Sequence, residues 1–308
     1  MQFSRSADPN ANGAKPSASP LMTTAEVADY LRVKERTIYE MVARQTIPFT
    51  RATGKLLFPR RLVDAWLEAQ TDVPAAGIAP APPIYAGSSD PLLEWALRQS
   101  GSGLAVLARG SVQGLDDLAA GRAVLAGLHL LDPDSGRWNV AAAQAQLSGA
   151  RHVLIHWARR TQGLMTAAGN PLGIAGLEDA AARGLRFATR ADGAGSQRLL
   201  DVLLARAGLS MADLAVAERP ADTHADLATL IETGAADCGL GLQAAAGQLG
   251  FLPLVADESF DLAMTRRDYF EPRVQSLLAF AGSADFARRA AHLGGYDLRA
   301  LGTVIWNG

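Results

Sequence analysis

Between Thr71 and Pro83 the chain reads Thr-Asp-Val-Pro-Ala-Ala-Gly-Ile-Ala-Pro-Ala-Pro-Pro, four prolines among thirteen residues. Proline fixes its own φ, lacks an amide hydrogen and biases the preceding residue away from the helical region, so no helix can cross this stretch. The run predicts an extended, semi-rigid linker over residues 71–83 that separates two folded units. Upstream, residues 21–70 form a segment short enough to be marginal as an independent fold. Downstream, 225 residues from Ile84 to Gly308 alternate short apolar runs with amphipathic Ala/Leu stretches, the pattern of βα units around a parallel sheet. The first twenty residues are polar and carry no apolar core of a secretory signal, so residues 1–20 are expected to be a disordered tail.

Composition narrows the class. With 49% hydrophobic and 19% charged residues the chain can bury real cores, and 30 glycines against 6% aromatics point to an α/β protein rather than an all-β one. A single cysteine, Cys238, excludes an intrachain disulfide framework and a Cys-rich zinc site, and it fits a reducing, cytoplasmic compartment. No run of about 18 apolar residues is present, so no membrane span is expected. The formal net charge of -2 conceals an asymmetry: residues 21–70 hold eight Lys/Arg against six Asp/Glu, whereas residues 71–308 hold nineteen against twenty-four.

In the small segment, Thr23 or Thr24 can cap a helix whose Val27, Ala28 and Leu31 share one face. Arg32-Val33-Lys34 makes a turn, and a second helix over residues 35–43 buries Ile38 and Val42 while Arg36, Thr37 and Tyr39 stay outside. Two short helices joined by a tight turn form a helix-turn-helix. Arg51 to Lys55 reads as a hairpin tip, and Pro59 as the opening of a third helix with a core stripe of Leu62, Val63, Trp66 and Leu67.

The order Thr23-x-x-Glu26-Val27-Ala28-x-Tyr30-Leu31-x-Val33, Thr37-Ile38-Tyr39, Pro48, a basic wing and Trp66-Leu67 resembles the excisionase/MerR-like winged helix-turn-helix family over residues 22–69. The resemblance implies binding to double-stranded DNA, with base contacts from Lys34, Arg36, Thr37 and Tyr39 and phosphate contacts from Arg44, Arg51 and Lys55. The bland alternative is a set of solvated charges on a small helical bundle. With so slight a positive excess, one copy binds DNA weakly, and a homodimer or higher homo-oligomer is expected.

In the large segment, Ile84 to Gly87 reads as a strand followed by Ser88 and Ser89 and a helix from Pro91. Ser102, in Ser100-Gly-Ser-Gly103, and His129, after Ala123-Val-Leu-Ala-Gly127, are placed at comparable turns. In an open parallel sheet, strand C-termini and helix N-termini face the ligand crevice, where free amides attract anions. The run Arg190-Ala-Asp192-Gly-Ala-Gly195-Ser196-Gln-Arg198 follows a strand and opens a helix. Its glycines let the backbone approach a ligand, Arg190 supplies positive charge, Asp192 can orient that guanidinium, and Ser196 donates. The alternative is a Gly-rich turn with a surface Arg-Asp pair. His224 could donate to a cleft ligand, or have a helix-capping or buried role.

Residues 84–305 resemble the type II periplasmic-binding-protein fold, in particular the molybdate/tungstate-type sensor domains fused to helix-turn-helix heads. The landmarks are G-S-S-D (87–90), A-G-L-H-L-L-D (126–132), R-T-Q-G-L (160–164), G-N-P-L-G-I (169–174), R-A-D-G-A-G-S-Q-R (190–198), T-H (223–224), G-A-A-D-C-G-L-G (234–241) and L-G-G-Y-D (293–297). The resemblance implies two α/β lobes closing on an oxyanion, molybdate or tungstate, held by Ser88, Ser89, Ser102, His129, Arg190, Asp192, Gly195, Ser196 and His224, with no cofactor. Ala194 and Ser196-Gln197 stand where the common loop has Ser and Thr, which removes one hydroxyl donor. Phosphate is the alternative ligand, with Asp90 or Asp192 accepting its proton. A vestigial clamshell that serves only oligomerisation is the alternative function.

His152 and His156 bracket Val-Leu-Ile and so belong to a strand near the lobe crossover; without carboxylate or thiolate partners they are not expected to bind a metal cation. Cys238 reads as a packed thiol. No G-x-S-x-G elbow, P-loop or Rossmann fingerprint is present, and no enzymatic activity is expected.

Overall fold

A computed structural model describes residues 20–52, 54–69, 80–147 and 151–308. The expected tail, apart from Pro20, and residues 71–79 of the expected linker lie outside the described residues. The chain divides into two compact units, Met1–Asp72 and Val73–Gly308.

The first unit contains β1 (Leu21–Met22), α1 (Thr24–Leu31), α2 (Glu35–Ala43), β2 (Phe58–Pro59) and α3 (Arg60–Ala69), with β1 and β2 antiparallel. Thr23 closes a capping box on α1: its Oγ1 accepts from the Glu26 amide, and the Glu26 carboxylate accepts from the Thr23 amide at 2.7 Å. Such a cap is worth about 1 kcal/mol. Arg32 then stops the helix in the left-handed region, φ 54°. Val27, Ala28, Ile38, Val42, Phe58 and Val63 form the core. Thr50 and Leu57 exchange backbone hydrogen bonds of 2.8 and 3.0 Å, which closes the wing around Arg51 and Lys55. Two expectations need correction. Pro59 ends β2, and α3 begins one residue later. Leu62 is 47% exposed, because α3 turns Val63 and Trp66 inward and a neighbouring position points about 100° away.

The second unit is an α/β domain. Its first lobe is built from β3 (Ile84–Gly87), α4 (Pro91–Gln99), β4 (Ala105–Ala108), α5 (Ser111–Ala119), β5 (Leu125–Leu128) and α6 (Val140–Gln146). The long β6 (His152–Thr166) leads to α7 (Leu177–Ala182), β7 (Arg186–Ala188), α8 (Gly195–Arg206), β8 (Ala215–Val216), α9 (His224–Glu232) and β9 (Cys238–Leu242) of the second lobe. A second long strand, β10 (Gly250–Thr265), returns to α10 (Arg266–Tyr269), α11 (Pro272–Ala281), α12 (Ala284–Leu293), β11 (Tyr296–Asp297) and β12 (Val304–Asn307).

One sheet runs through both lobes in the order β4-β3-β5-β10-β6-β9-β7-β8, with β11 and β12 also paired to β6. β3, β4 and β5 are mutually parallel, as are β7, β8 and β9, so helices cover the faces and helix N-termini gather at the strand C-terminal edge. β6 and β10 are antiparallel crossover strands. Their register breaks between Val255 and Glu258, next to the cross-strand pair Arg160–Glu258. On one side of that break β10 pairs with β5, and on the other β6 pairs with β9, so the break marks where one lobe gives way to the other. The first lobe's core includes Tyr85, Leu92, Leu93, Trp157, Phe260 and Phe286, and the second's includes Leu164, Phe187, Leu199, Leu200, Leu204 and Leu240. His152 and His156 lie on β6, as their spacing around Val-Leu-Ile implies. Among the described residues no helix is long and apolar enough to cross a membrane, and no group of three or more metal-ligating side chains is assembled.

Candidate functional site

Where the two lobes meet, Ser88, Ser89, Ala108, Gly110, His129, Arg190, Ala194, Asp222 and His224 line one cavity. Ser88 and Ser89 precede α4, Ala108 and Gly110 precede α5, Arg190 and Ala194 precede α8, and Asp222 and His224 stand at the start of α9. Residues at four helix N-termini therefore share a small space, to which each helix dipole contributes a partial positive charge. That is the fold's own provision for an anion.

Arg190 adds a full charge. It is 9% exposed, and its Nε and Nη2 donate to the carbonyls of Ala221 (3.0 Å) and Asp222 (2.7 Å). Among the described residues no carboxylate pairs with it, and its Nη1 makes no hydrogen bond. Burial pulls the guanidinium down to about 10, with the more distant Asp226 and Asp222 opposing. An ionised group held this way carries an uncompensated desolvation cost that an anion would offset.

Around it the polar groups are fixed in place. Ser88 Oγ and Ser111 Oγ are 2.8 Å apart, and Ser111 Oγ accepts from the His129 amide at 3.1 Å. His224 Nδ1 accepts from the Leu242 amide at 3.3 Å, which in the neutral ring leaves the hydrogen on Nε2. Burial, reinforced by Arg190, holds this imidazole well below the usual histidine range, so at neutral pH it is an uncharged donor. His129 is arranged the opposite way: its Nδ1 lies 2.6 Å from Glu258 Oε1, a carboxylate that Arg160 keeps ionised. Nδ1 therefore carries the hydrogen, and Nε2 presents a lone pair.

Beneath this layer lies a buried charge cluster. Arg160, fully buried, donates from Nε to Glu258 Oε2 at 2.8 Å and from Nη1 to Asp90 Oδ2 at 3.0 Å, and stacks 4.1 Å from the Phe260 ring centre. Asp90 also caps α4 through the Leu93 amide and accepts from the Tyr296 hydroxyl. Gln162 completes the ring of donors to Glu258. Arg160, Gln162, Glu258 and Tyr296 were not singled out as site residues. Arg160 and Gln162 fall in the run R-T-Q-G-L and Tyr296 in L-G-G-Y-D, whereas the signal for Glu258 is a charge within the long strand β10.

Of the nine expected ligand residues, the fold brings Ser88, Ser89, His129, Arg190 and His224 to the cavity. Ser196 lies one residue inside α8, and among the described residues its buried Oγ has no hydrogen-bond partner. Gly195 begins α8 and is a close-approach position: a Cβ there would fall 2.6 Å from the His129 carbonyl oxygen and 2.7 Å from its ring. Two placements are corrected. Ser102 sits in the α4–β4 turn, at the opposite end of the strands from the cavity, where its Oγ meets the Leu97 carbonyl. Asp192 is exposed on an outer groove that Arg190 also borders, with Gln197, Asp201 and Glu218, but the hydrogen bonds of the Arg190 guanidinium go to the carbonyls of Ala221 and Asp222, which orient it instead. Cys238 is fully buried in β9, and burial pushes its thiol up to about 12.

The lobes are closed on each other. A Cβ on Gly110 (φ 90°) would approach the Gly193 carbonyl oxygen to 2.9 Å, and Gly195 abuts His129 as described. The cavity left between them is about 10 Å³, room for roughly one water molecule. A four-oxygen anion enters only as the lobes part. Gly195→Ala is accordingly expected to hold the lobes open, measured by small-angle scattering as a larger radius of gyration than wild type; an unchanged radius would show that this contact does not limit closure.

In the first unit, Lys34, Arg36, Thr37, Tyr39, Arg44, Arg51 and Lys55 are all exposed. Lys34 is the N-cap residue of α2, Arg36 pairs with Glu40 at 3.1 Å, and the Arg51 guanidinium lies 5.1 Å from the Phe49 ring centre. α2 and the wing thus present basic and aromatic groups outward, as a groove-reading element does.

Comparison with known proteins agrees with both halves. The family described as "Helix-turn-helix domain" matches residues 21–71, and that described as "PBP superfamily domain" matches residues 93–282. An uncharacterized protein of Bacillus subtilis, YvgK, is 31% identical over 199 residues, 64% of this chain and 64% of that protein, so the chain spans less than two thirds of that relative's length. A putative phosphate ABC transporter substrate-binding protein from Clostridium perfringens, solved with bound phosphate, is 12% identical and superposes with a TM-score of 0.52 over 71% of this chain and 98% of that one. The sulfate-binding protein SubI from Mycobacterium tuberculosis is 16% identical, with a TM-score of 0.46 over 69% of this chain and 85% of that one. At 12% identity the likeness to the Clostridium perfringens protein concerns the fold alone. With a match extending over residues 93–282, more than half of its length, the chain belongs to the PBP superfamily.

Proposed function

We propose that the protein is a DNA-binding transcriptional regulator, working in the cytoplasm as a homodimer or higher oligomer, whose two-lobed domain senses a small oxyanion, molybdate or tungstate in the first place. It carries out no catalytic step. The observation that supports an anionic ligand is the Arg190 guanidinium, buried among four helix N-termini with carbonyls as its hydrogen-bond partners and Nη1 unused. A fully deprotonated anion suits the donors Ser88, Ser89, His224 Nε2 and the α8 terminus. The two carboxylates that would accept a phosphate proton are engaged elsewhere: Asp90 under Arg160 and Tyr296, Asp192 on the outer groove. Phosphate remains the second reading because His129 Nε2 offers a lone pair of its own.

Ligand that bridges the lobes favours the closed state by its differential affinity, and closure is read out by the DNA-binding heads of the oligomer. A thermal-shift series with molybdate, tungstate, sulfate and phosphate tests the sensing half. An effective anion at one hundred times its dissociation constant adds about 2.7 kcal/mol of stability, and Arg190→Ala abolishes the gain. No shift with any of the four in anion-free protein would favour the vestigial clamshell. On the DNA side, replacing Arg51 and Lys55 by Ala should weaken binding evenly across sequences and reduce the slope of log affinity against log salt by roughly 2; an unaltered slope would remove the wing from the interface.

A further inference from the structure

We infer that His129 is a specificity-determining residue of the oxyanion pocket, which binds its anion together with one proton: taken up from solvent when the anion is fully deprotonated, and carried in by the anion itself when it is a monohydrogen species. The inference rests on the oxyanion reading above and concerns which members of that class are held.

The geometry is asymmetric across the ring. Nδ1 faces Glu258 Oε1 at 2.6 Å, while the Cε1–Nε2 edge faces Gly195 at the start of α8, and among the described residues Nε2 has no hydrogen-bond partner. Glu258 is fixed as a carboxylate by Arg160 and Gln162, so the neutral ring has its hydrogen on Nδ1 and a bare lone pair on Nε2. Every oxygen of molybdate, tungstate or sulfate is an acceptor, and against such an anion that lone pair is repulsive. Protonation of Nε2 turns it into a donor, and Glu258 stabilises the resulting imidazolium from the far side. A monohydrogen anion such as HPO₄²⁻ resolves the same conflict differently, by donating its own hydrogen to Nε2.

The groups that face the ring set its resting state. Glu258 on β10 favours the imidazolium; Arg160 on β6, Arg190 after β7 and the α8 N-terminus disfavour it, His224 at the start of α9 stands neutral opposite, and Ser111 Oγ engages the His129 amide. Burial outweighs the carboxylate, so the free site holds His129 below the usual histidine range and uncharged at neutral pH. A bound dianion reverses that balance. Because Glu258 is also the cross-strand partner of Arg160 at the register break, the imidazolium formed on His129 is held by the same carboxylate that ties the crossover strands together.

The test is titration calorimetry of the full chain with molybdate, tungstate, sulfate and phosphate, in two buffers of different ionisation heat, between about pH 8 and 9. For molybdate, tungstate or sulfate the expected result is uptake of about one proton per anion, with affinity falling about tenfold per pH unit, since the free site has lost the proton that the complex holds. Phosphate, carrying its own proton, is expected to bind without uptake and with little pH dependence. His129→Gln, which presents an amide donor in place of the lone pair, should bind molybdate without uptake or pH dependence and bind phosphate more weakly; the wild-type buffer dependence stands as a test even if that variant does not fold. Anion binding without proton uptake in wild type, or uptake retained in His129→Gln, overturns the role of His129 and leaves the oxyanion reading intact. Absence of binding by all four anions to anion-free protein overturns both.

Discussion

A guanidinium removed from water and given no carboxylate is the constraint around which the second unit is built. Burying Arg190 against the carbonyls of Ala221 and Asp222 satisfies two of its donors and leaves its charge unbalanced. The strands and helices around it make the imbalance larger, because the parallel arrangement of β3–β5 and of β7–β9 delivers helix N-termini to the same edge. Such an arrangement is costly for the free protein and complementary to a small anion, the ordinary sign of a site organised for a guest rather than for stability.

Contrast Arg160. It is more deeply buried, yet Glu258 and Asp90 both reach it, and hydrogen bonds from Gln162, Tyr296 and the Leu93 amide complete the shells of those two carboxylates. The cluster sits where β6 and β10 pass from one lobe to the other, beside the register break. A paired charge at the crossover and an unpaired one in the cleft divide the work: the first fixes the strands about which the lobes move, and the second gives them a reason to close. His129 bridges the two, with one ring nitrogen on Glu258 and the other edge against α8.

Much of this was legible in the residues. The α/β character, the helix-turn-helix and the Gly-rich turn after β7 followed from proline placement, capping residues and apolar spacing, and five side chains from Ser88 to His224 do converge. What escaped has physical reasons. Asp192 lies two residues from Arg190, but closeness in sequence does not fix side-chain direction in a turn, and carbonyls some thirty residues away took its place. Ser102 and Ser88 both follow regular elements beside glycines, but one turn follows a helix and the other a strand, which puts them at opposite ends of the sheet. Arg160 and Glu258 are 98 residues apart, and only the β6–β10 register makes them a pair. Leu62 differs from Val63 by a single position, within the error of a helical face read from spacing alone.

The most direct test of the central claim is a crystal structure of the protein grown with tungstate, with data collected at the tungsten absorption edge. The expected anomalous peak lies between the lobes, within hydrogen-bond reach of Arg190 Nη1 and the start of α8, with both lobes closed on the anion and held apart only by its own size. A peak confined to the outer surface, or a cleft that stays shut with Arg190 turned to a carboxylate, would contradict it.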